Sequence, residues 1–458
     1  MGQKKKFSQA FWIANTVELF ERLSYYAIFI AITLYLSNVW GFSDIEAGVI
    51  SGLFSGLLYL LPLFSGAYAD KIGFRPALIL AFGLLTIGYF GLGIVPTLLE
   101  SAGLVSYENV TIFTGLNSSP LRWSIIPILA LIVFGGSFIK SIISGTVAKE
   151  TTTENRAKGY SIFYMMVNIG AFMGKTVVDP LRKSLGDQGL VYLNYFSATM
   201  TLLALITVFL FYKSVKSDKE EHKSFKEIGH SLWTVLSNVR LLILILIISG
   251  FWLIQSQLYA TMPKYVIRLI GEDATPGWFA NVNPLVVFLI VNFITSLMKK
   301  RSALYSIIIG MLIIPVSAFV MSLGSQIKVD TLLGMHPVAT MMIFGIALQA
   351  VAECFISPRY LEFFSLQAPK GEEGLYLGFS HLHSFFSFIL AFIMSGFLLN
   401  KYLPDPRNFS SKEAYETATT HAHYIWYVFV AIGLISAIAL GIYAYVTNQI
   451  DKKKAVVD

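Results

Sequence analysis

The sequence predicts an all-α integral membrane protein: twelve transmembrane helices in two six-helix bundles, with both termini cytoplasmic. Three observations carry this expectation. Of 458 residues, 55% are hydrophobic and 13% charged, about half the charged share usual in soluble domains. Apolar runs of roughly 20 residues, enough to span hydrocarbon as a helix, recur twelve times. Between the sixth and seventh runs lies a polar, basic stretch containing KSVKSDKEEHKSFKE, which divides the chain into 1–212, a linker at 213–239, and 240–458.

The runs fall at about 11–36, 47–69, 76–96, 124–147, 160–181 and 192–212, then 240–264, 276–298, 303–323, 336–364, 375–400 and 423–447. Orientation follows from where the lysines and arginines collect. Lys4 to Lys6, Lys71 with Arg75, Lys149 to Lys158, the linker, Lys299 to Arg301, Lys370 and Lys452 to Lys454 all fall on one side, which places both termini inside. The same distribution explains the net charge of +7 without nucleic acid. A single cysteine, Cys354, excludes an internal disulfide and a cysteine-ligated zinc site. The basic start lacks a small-residue cleavage site, and the apolar run after it carries charge, so it is not expected to be a removable signal peptide. Acceptor patterns at Asn109-Val110-Thr111, Asn117-Ser118-Ser119 and Asn408-Phe409-Ser410 lie in the longest outer segments and are assigned no function.

The first run holds Glu18-Leu19-Phe20-Glu21-Arg22-Leu23-Ser24-Tyr25-Tyr26. Three ionisable groups in one span each cost about 2.5–3.5 kcal/mol against lipid. On a helix, Glu18, Glu21, Arg22, Tyr25 and Tyr26 recur at steps of three or four and share one face. That face is expected to line a polar path; an intrahelical Glu18–Arg22 pair alone would leave Glu21 unexplained. Lys140 lies deep in the fourth run after Gly135-Gly136, where two glycines admit a close neighbour. It needs a carboxylate, and Glu21 and Glu18 are the candidates, unless it snorkels to the inner surface. A pair whose partner can be replaced by a proton makes a sufficient switch.

In the second half, Glu353 sits mid-run with Pro358 five residues on, so local unwinding is expected to open carbonyls beside it. Arg359 and Glu362 read as a structural pair near the interface. Lys175 and Asp179 read equally as a gate or a structural pair. His381 and His383 are expected on nearly opposite helix faces, so no metal site is expected. Asn168, Asn281, Asn283, Gln255 and Gln257 are amides in apolar runs, each of which could be interhelical glue. Two halves of six with a basic linker suit a secondary transporter of the major facilitator type, with substrate at the midplane. Gly66-Ala67-Tyr68-Ala69-Asp70-Lys71-Ile72-Gly73-Phe74-Arg75 resembles the G-x-x-A-D-x-x-G-x-R loop of that superfamily, in which Asp70 and Arg75 would help hold the inner helix ends in one state.

At these residues the sequence resembles the proton-coupled oligopeptide transporter family. E-x-x-E-R-F-x-Y-Y appears as ELFERLSYY and F-Y-x-x-x-N-x-G as Phe163 to Gly170. Gly136 to Lys140, Phe251-Trp252 with Gln257, Asn283-Pro284, and Glu353 to Pro358 followed by Ala368-Pro369-Lys370 match in the family's order. The resemblance implies a proton-coupling block of Glu18, Glu21 and Arg22 with Lys140. Arg22 and Lys140 would face the substrate carboxylate, Glu353 the ammonium, and Asn168 and Asn283 the peptide backbone. Tyr25, Tyr26, Tyr59 and Trp252 would form side-chain pockets, and Asp70, Arg75 and Pro358 would serve gating. The chain departs from the family at Phe29 for a second arginine, at Ser256, just before Gln257, for a seventh-helix glutamate and at Phe379 for a tryptophan, and it has no room for two extra central helices.

The expected function is proton-coupled import of di- and tripeptides or peptide-like zwitterions by alternating access. A same-fold transporter of another small solute, such as an anionic metabolite or drug, and a non-transporting nutrient receptor are the alternatives. No nucleophile, H-E-x-x-H, G-x-S-x-G or metal-ligand spacing points to an enzyme. No cofactor beyond the coupling proton is expected. The expected partners are small peptides, protons and membrane lipid, with the protein a monomer in the cell's inner (plasma) membrane.

Overall fold

A computed structural model describes residues 7–107, 116, 119–151, 155–213, 226–227, 229–230, 233, 237–367 and 379–457. Much of the linker, the first two acceptor patterns apart from Ser119, and Ala368 to Lys370 lie outside them. Twelve helical spans among the described residues are long and apolar enough to cross a membrane, from Gln9–Asn38 to Tyr424–Ile450. The chain divides into two compact units, Met1–Gly229 and His230–Asp458, each holding six of the spans.

In the first unit α1 (Gln9–Asn38) starts where the Ser8 hydroxyl accepts from Phe11 N at 3.1 Å. α2 (Asp44–Leu60) opens with a reciprocal Ser43–Glu46 capping box. It passes into α3 (Pro62–Ile72) at Pro62, which has no N–H to continue the ladder. Gly73, at φ +91°, ends α3 and turns the chain into α4 (Phe74–Ser101). A short 3-10 turn leads to α5 (Ile125–Lys149), α6 (Arg156–Leu185) and α7 (Asp187–Phe211). α1 packs chiefly on α6 and α7, and α4 on α5 and α7. Small residues set these approaches. A Cβ on Gly170 would lie 2.6 Å from Arg22 Cβ and 2.9 Å from Leu19 O, and one on Gly174 would lie 2.6 Å from Leu23 O. A Cβ on Gly135 of α5 would likewise lie 2.8 Å from Ala81 O on α4. Ser24 and Ser197 bond reciprocally to each other's carbonyls, at 3.2 and 3.0 Å, and so tie α1 to α7.

The second unit's first span is not one helix, as the apolar run 240–264 suggests. α8 (Val239–Gln255) stops at Ser256, whose hydroxyl bonds back to Trp252 O at 2.6 Å. A single turn, α9 (Gln257–Ala260), follows, and α10 (Met262–Ile270) restarts at Pro263 in its first turn. Gln257 and Thr261 at these breaks reach Ala391 O and Ser395 Oγ at 3.4 and 2.7 Å. Next come α11 (Pro276–Ala280), α12 (Val282–Met298), α13 (Ala303–Leu323), α14 (Pro337–Gln367), α15 (Leu382–Tyr402), α16 (Lys412–Ala418) and α17 (Tyr424–Val457). α14 packs on α12 and α13, α17 on α13, and α8 on α15.

Candidate functional site

In the first unit the charged face of α1 closes on itself. Arg22 Nε lies 3.1 Å from Glu18 Oε1 and Arg22 Nη2 lies 2.5 Å from Glu21 Oε2, all three side chains buried. The guanidinium fork reaches both carboxylates because they sit one turn and one residue before it. Lys140, approaching on α5, makes no ion pair among the described residues and instead holds Nζ 3.7 Å from the Tyr59 ring centroid. The expectation that Lys140 pairs with Glu21 or Glu18 is therefore corrected: Arg22 is attached to the same helix as both acids and takes them first. Glu21 is also explained within α1, as the second acid on one arginine.

A small, partly open pocket lies over this cluster. Glu21, Arg22, Tyr25, Tyr59 and Lys140 line it, together with Tyr89, Leu58, Leu85, Ile132 and Gly136. Tyr89 and the aliphatic wall escaped sequence reasoning because an apolar span full of leucine marks none of them as special. Tyr26 and Asn168 are not among the lining residues. Tyr26 packs edge-on against Tyr25 at 5.2 Å and has Lys175 Nζ 5.7 Å from its ring. The Asn168 amide donates to Tyr164 O at 2.7 Å, one turn back on its own helix. Phe29 stacks on Tyr25 with ring centroids 4.9 Å apart.

In the second unit three helices converge on one oxygen. Glu353 Oε2 accepts from Gln255 Nε2 at 3.0 Å and from Asn283 Nδ2 at 3.1 Å. Trp252, nearly one turn before Gln255, stacks on His383 with ring centroids 5.2 Å apart. Buried His383 has Nδ1 2.5 Å from Ser380 O and Nε2 3.2 Å from Ser384 Oγ. The His381 ring lies 6.2 Å from that of His383, which corrects the expectation of opposite faces. Among the described residues no three histidine, cysteine or acidic groups gather to hold a metal ion.

The residues expected to serve gating lie on α3, α4 and α14. Arg75 donates to Phe209 O at 2.8 Å, within the last turn of α7, where exposed carbonyls attract a cation. Asp70 lies in α3, and its side chain is outside the described residues. Pro358 sits inside an uninterrupted α14, so the unwinding expected beside Glu353 is absent; Ser306 Oγ takes up the nearby Phe355 carbonyl at 2.7 Å. Arg359 and Glu362 pair at 2.6 Å, and Arg359 also donates to Met298 O at the end of α12. Lys175 and Asp179 are both buried in α6.

Twelve spans in two units, with a buried ion cluster in the first of them, mark a multi-pass membrane protein. The chain belongs to the Major Facilitator Superfamily, whose pattern it matches over residues 16–330. Dipeptide and tripeptide permease A of Citrobacter koseri is 25% identical over 274 residues, which cover 58% of this chain and 47% of that protein. Peptide transporter family 1 of Drosophila melanogaster is 27% identical over 210 residues, 44% and 26% of the two chains. The chain spans about half the length of the bacterial permeases it matches. Among solved structures, the POT family transporter PepTSo superposes with a TM-score of 0.70 at 17% identity, over 97% of this chain and 99% of that one. A POT family transporter in complex with 5-aminolevulinic acid gives 0.66 at 19%, over 94% and 96%. These structures share the fold.

Proposed function

We propose that the protein is a proton-coupled symporter that imports di- and tripeptides or peptide-like zwitterions by alternating access, from a plasma membrane in which both termini face the cytoplasm. The observation that carries this reading is Lys140. Arg22 is committed to two acids, whereas Lys140 lines the pocket with the Tyr59 ring against its ammonium and, among the described residues, no carboxylate within 4 Å. Formal charges on Glu18, Glu21, Arg22 and Lys140 sum to zero. A ligand carboxylate docked on Lys140 leaves the cluster with one surplus negative charge in a low-dielectric site, and one proton on Glu21 or Glu18 removes it. Substrate and proton then favour each other's binding reciprocally. Moving one charge across 100 mV supplies about 2.3 kcal/mol, before any pH gradient.

Glu353 supplies the negative group on the second unit, suited to a ligand ammonium. The relatives named as peptide permeases support a peptide ligand, and the neighbour holding 5-aminolevulinic acid supports a small amino acid zwitterion as the second reading. Protons are the coupling ion, no other cofactor takes part, and the working unit is a monomer in lipid. The test is uptake of labelled dialanine into proteoliposomes, with and without an inward proton gradient, competed by a dipeptide and tripeptide library. Gradient-stimulated uptake that the library blocks is the expected result. No uptake by vesicles shown to contain folded protein would overturn the peptide reading.

A further inference from the structure

We propose that Gln255 determines specificity for the amine end of the ligand: its amide N–H holds Glu353, and its carbonyl oxygen accepts from the ligand's ammonium. This rests on the reading of Glu353 as the ammonium-facing group. Gln255 is 6% exposed, and its Nε2 donates to Glu353 Oε2 at 3.0 Å. The other end of the same amide, Oε1, is buried with no hydrogen-bond donor among the described residues. An unsatisfied buried carbonyl is costly, and such a group in a native protein calls for a partner. A primary ammonium carries three donors and no acceptor, more than one carboxylate takes in a single geometry. The acid and the amide oxygen beside it offer two acceptors on adjoining groups.

The backbone explains why this side chain is aimed at Glu353. α8 ends at Gln255 because Ser256 turns its hydroxyl onto Trp252 O, and Trp252 in turn is fixed by its stack on His383. Asn283, from the first turn of α12, holds the same carboxylate oxygen from another direction at 3.1 Å. Both donors are neutral amides, so they orient the acid without adding charge. A carboxyl group in place of Gln255 would stand about as close to Glu353, and two such groups share a proton. Gln255 therefore provides an acceptor without a second titrating group. The neighbouring titratable group on α14 is Cys354, a buried thiol.

The test compares binding of dialanine and N-acetyl-dialanine to the full-length protein in lipid nanodiscs, at several pH values, with thermal melts as a check on folding. The parent is expected to prefer the free amine. Gln255→Leu should reduce that preference at least about fivefold, on the scale of one hydrogen bond to a charged group, while leaving affinity for the acetylated peptide unchanged. A purely structural role would weaken both ligands alike. Gln255→Glu, which keeps length and an acceptor, should retain the preference but make it rise more steeply with pH than in the parent. Should Gln255→Leu fail to fold, an unaltered pH slope in Gln255→Glu overturns the proposal. Loss of preference in Glu353→Gln with full preference in folded Gln255→Leu overturns it alone. Full preference in Glu353→Gln overturns the ammonium reading and this proposal with it.

Discussion

Lys140 Nζ stands 3.7 Å from the centre of the Tyr59 ring, a contact between α5 and α2 in which a cation meets the negative face of a phenol. Such a contact is worth about 0.5–2 kcal/mol, depending on desolvation, well below what a buried carboxylate partner would give. Lys140 is thus held in place while remaining open to a better anion. Lys140→Met should abolish uptake and lower dialanine affinity more than tenfold, the loss expected when a charge-assisted hydrogen bond worth about 1.5–3 kcal/mol is removed. Folding should survive, because the substitution leaves no carboxylate newly unpaired. Calorimetry beside a thermal melt checks both; unchanged affinity in a folded Lys140→Met would move the carboxylate site elsewhere.

Glu21 and Arg22 differ sharply in what their removal leaves behind. Glu21→Gln retains the Glu18–Arg22 pair at 3.1 Å, so the variant should fold, exchange substrate by counterflow and fail to concentrate it on a proton gradient. Arg22→Leu strands two buried acids and should cost about 3–5 kcal/mol of stability, as broken buried pairs do. Gradient-driven uptake by Glu21→Gln at the parental rate would remove Glu21 from the proton path.

The glycines of α6 set how closely that helix meets α1. Gly170→Ala places a methyl 2.6 Å from Arg22 Cβ and 2.9 Å from Leu19 O, where neither backbone nor a β-carbon can yield. The expected cost is about 1–3 kcal/mol, typical of overpacking, with a loss of transport because Arg22 moves with α1. Gly83→Ala, with nothing within 4 Å of the new carbon, should be neutral in the same melt and uptake measurements.

The twelve spans were legible because hydrocarbon demands about 20 apolar residues per helix, and the charged face of α1 because such residues are costly there. Which cation takes which acid was not legible: spacing places Glu18, Glu21 and Arg22 on one face but says nothing of how far α5 holds Lys140 from them. Gln255 was visible as an amide in an apolar run, yet only the end of α8 at Ser256 aims it at Glu353. The break in the seventh span was hidden for a related reason. Serine back-bonding and a proline at the start of a new helix leave hydropathy unchanged while redirecting the chain.

Arg75 decides how the loop after α3 is to be understood. Its guanidinium donates to Phe209 O near the C-terminal end of α7, inside the first unit, where the helix exposes unsatisfied carbonyls. A cap of this kind is worth about 0.3–1 kcal/mol on an accessible surface. Arg75→Gln should therefore lower the melting temperature slightly and leave dialanine affinity unchanged, and Arg75→Lys should recover most of the stability because a point charge still meets the carbonyl. A gating role predicts a different pattern: melting unchanged, with a shift in which side of the membrane a cavity cysteine can be labelled from. Alkylation of single-cysteine variants in sealed vesicles, run beside the melts, separates the two. A labelling shift without destabilisation would mean that the contact to Phe209 is incidental to what Arg75 does.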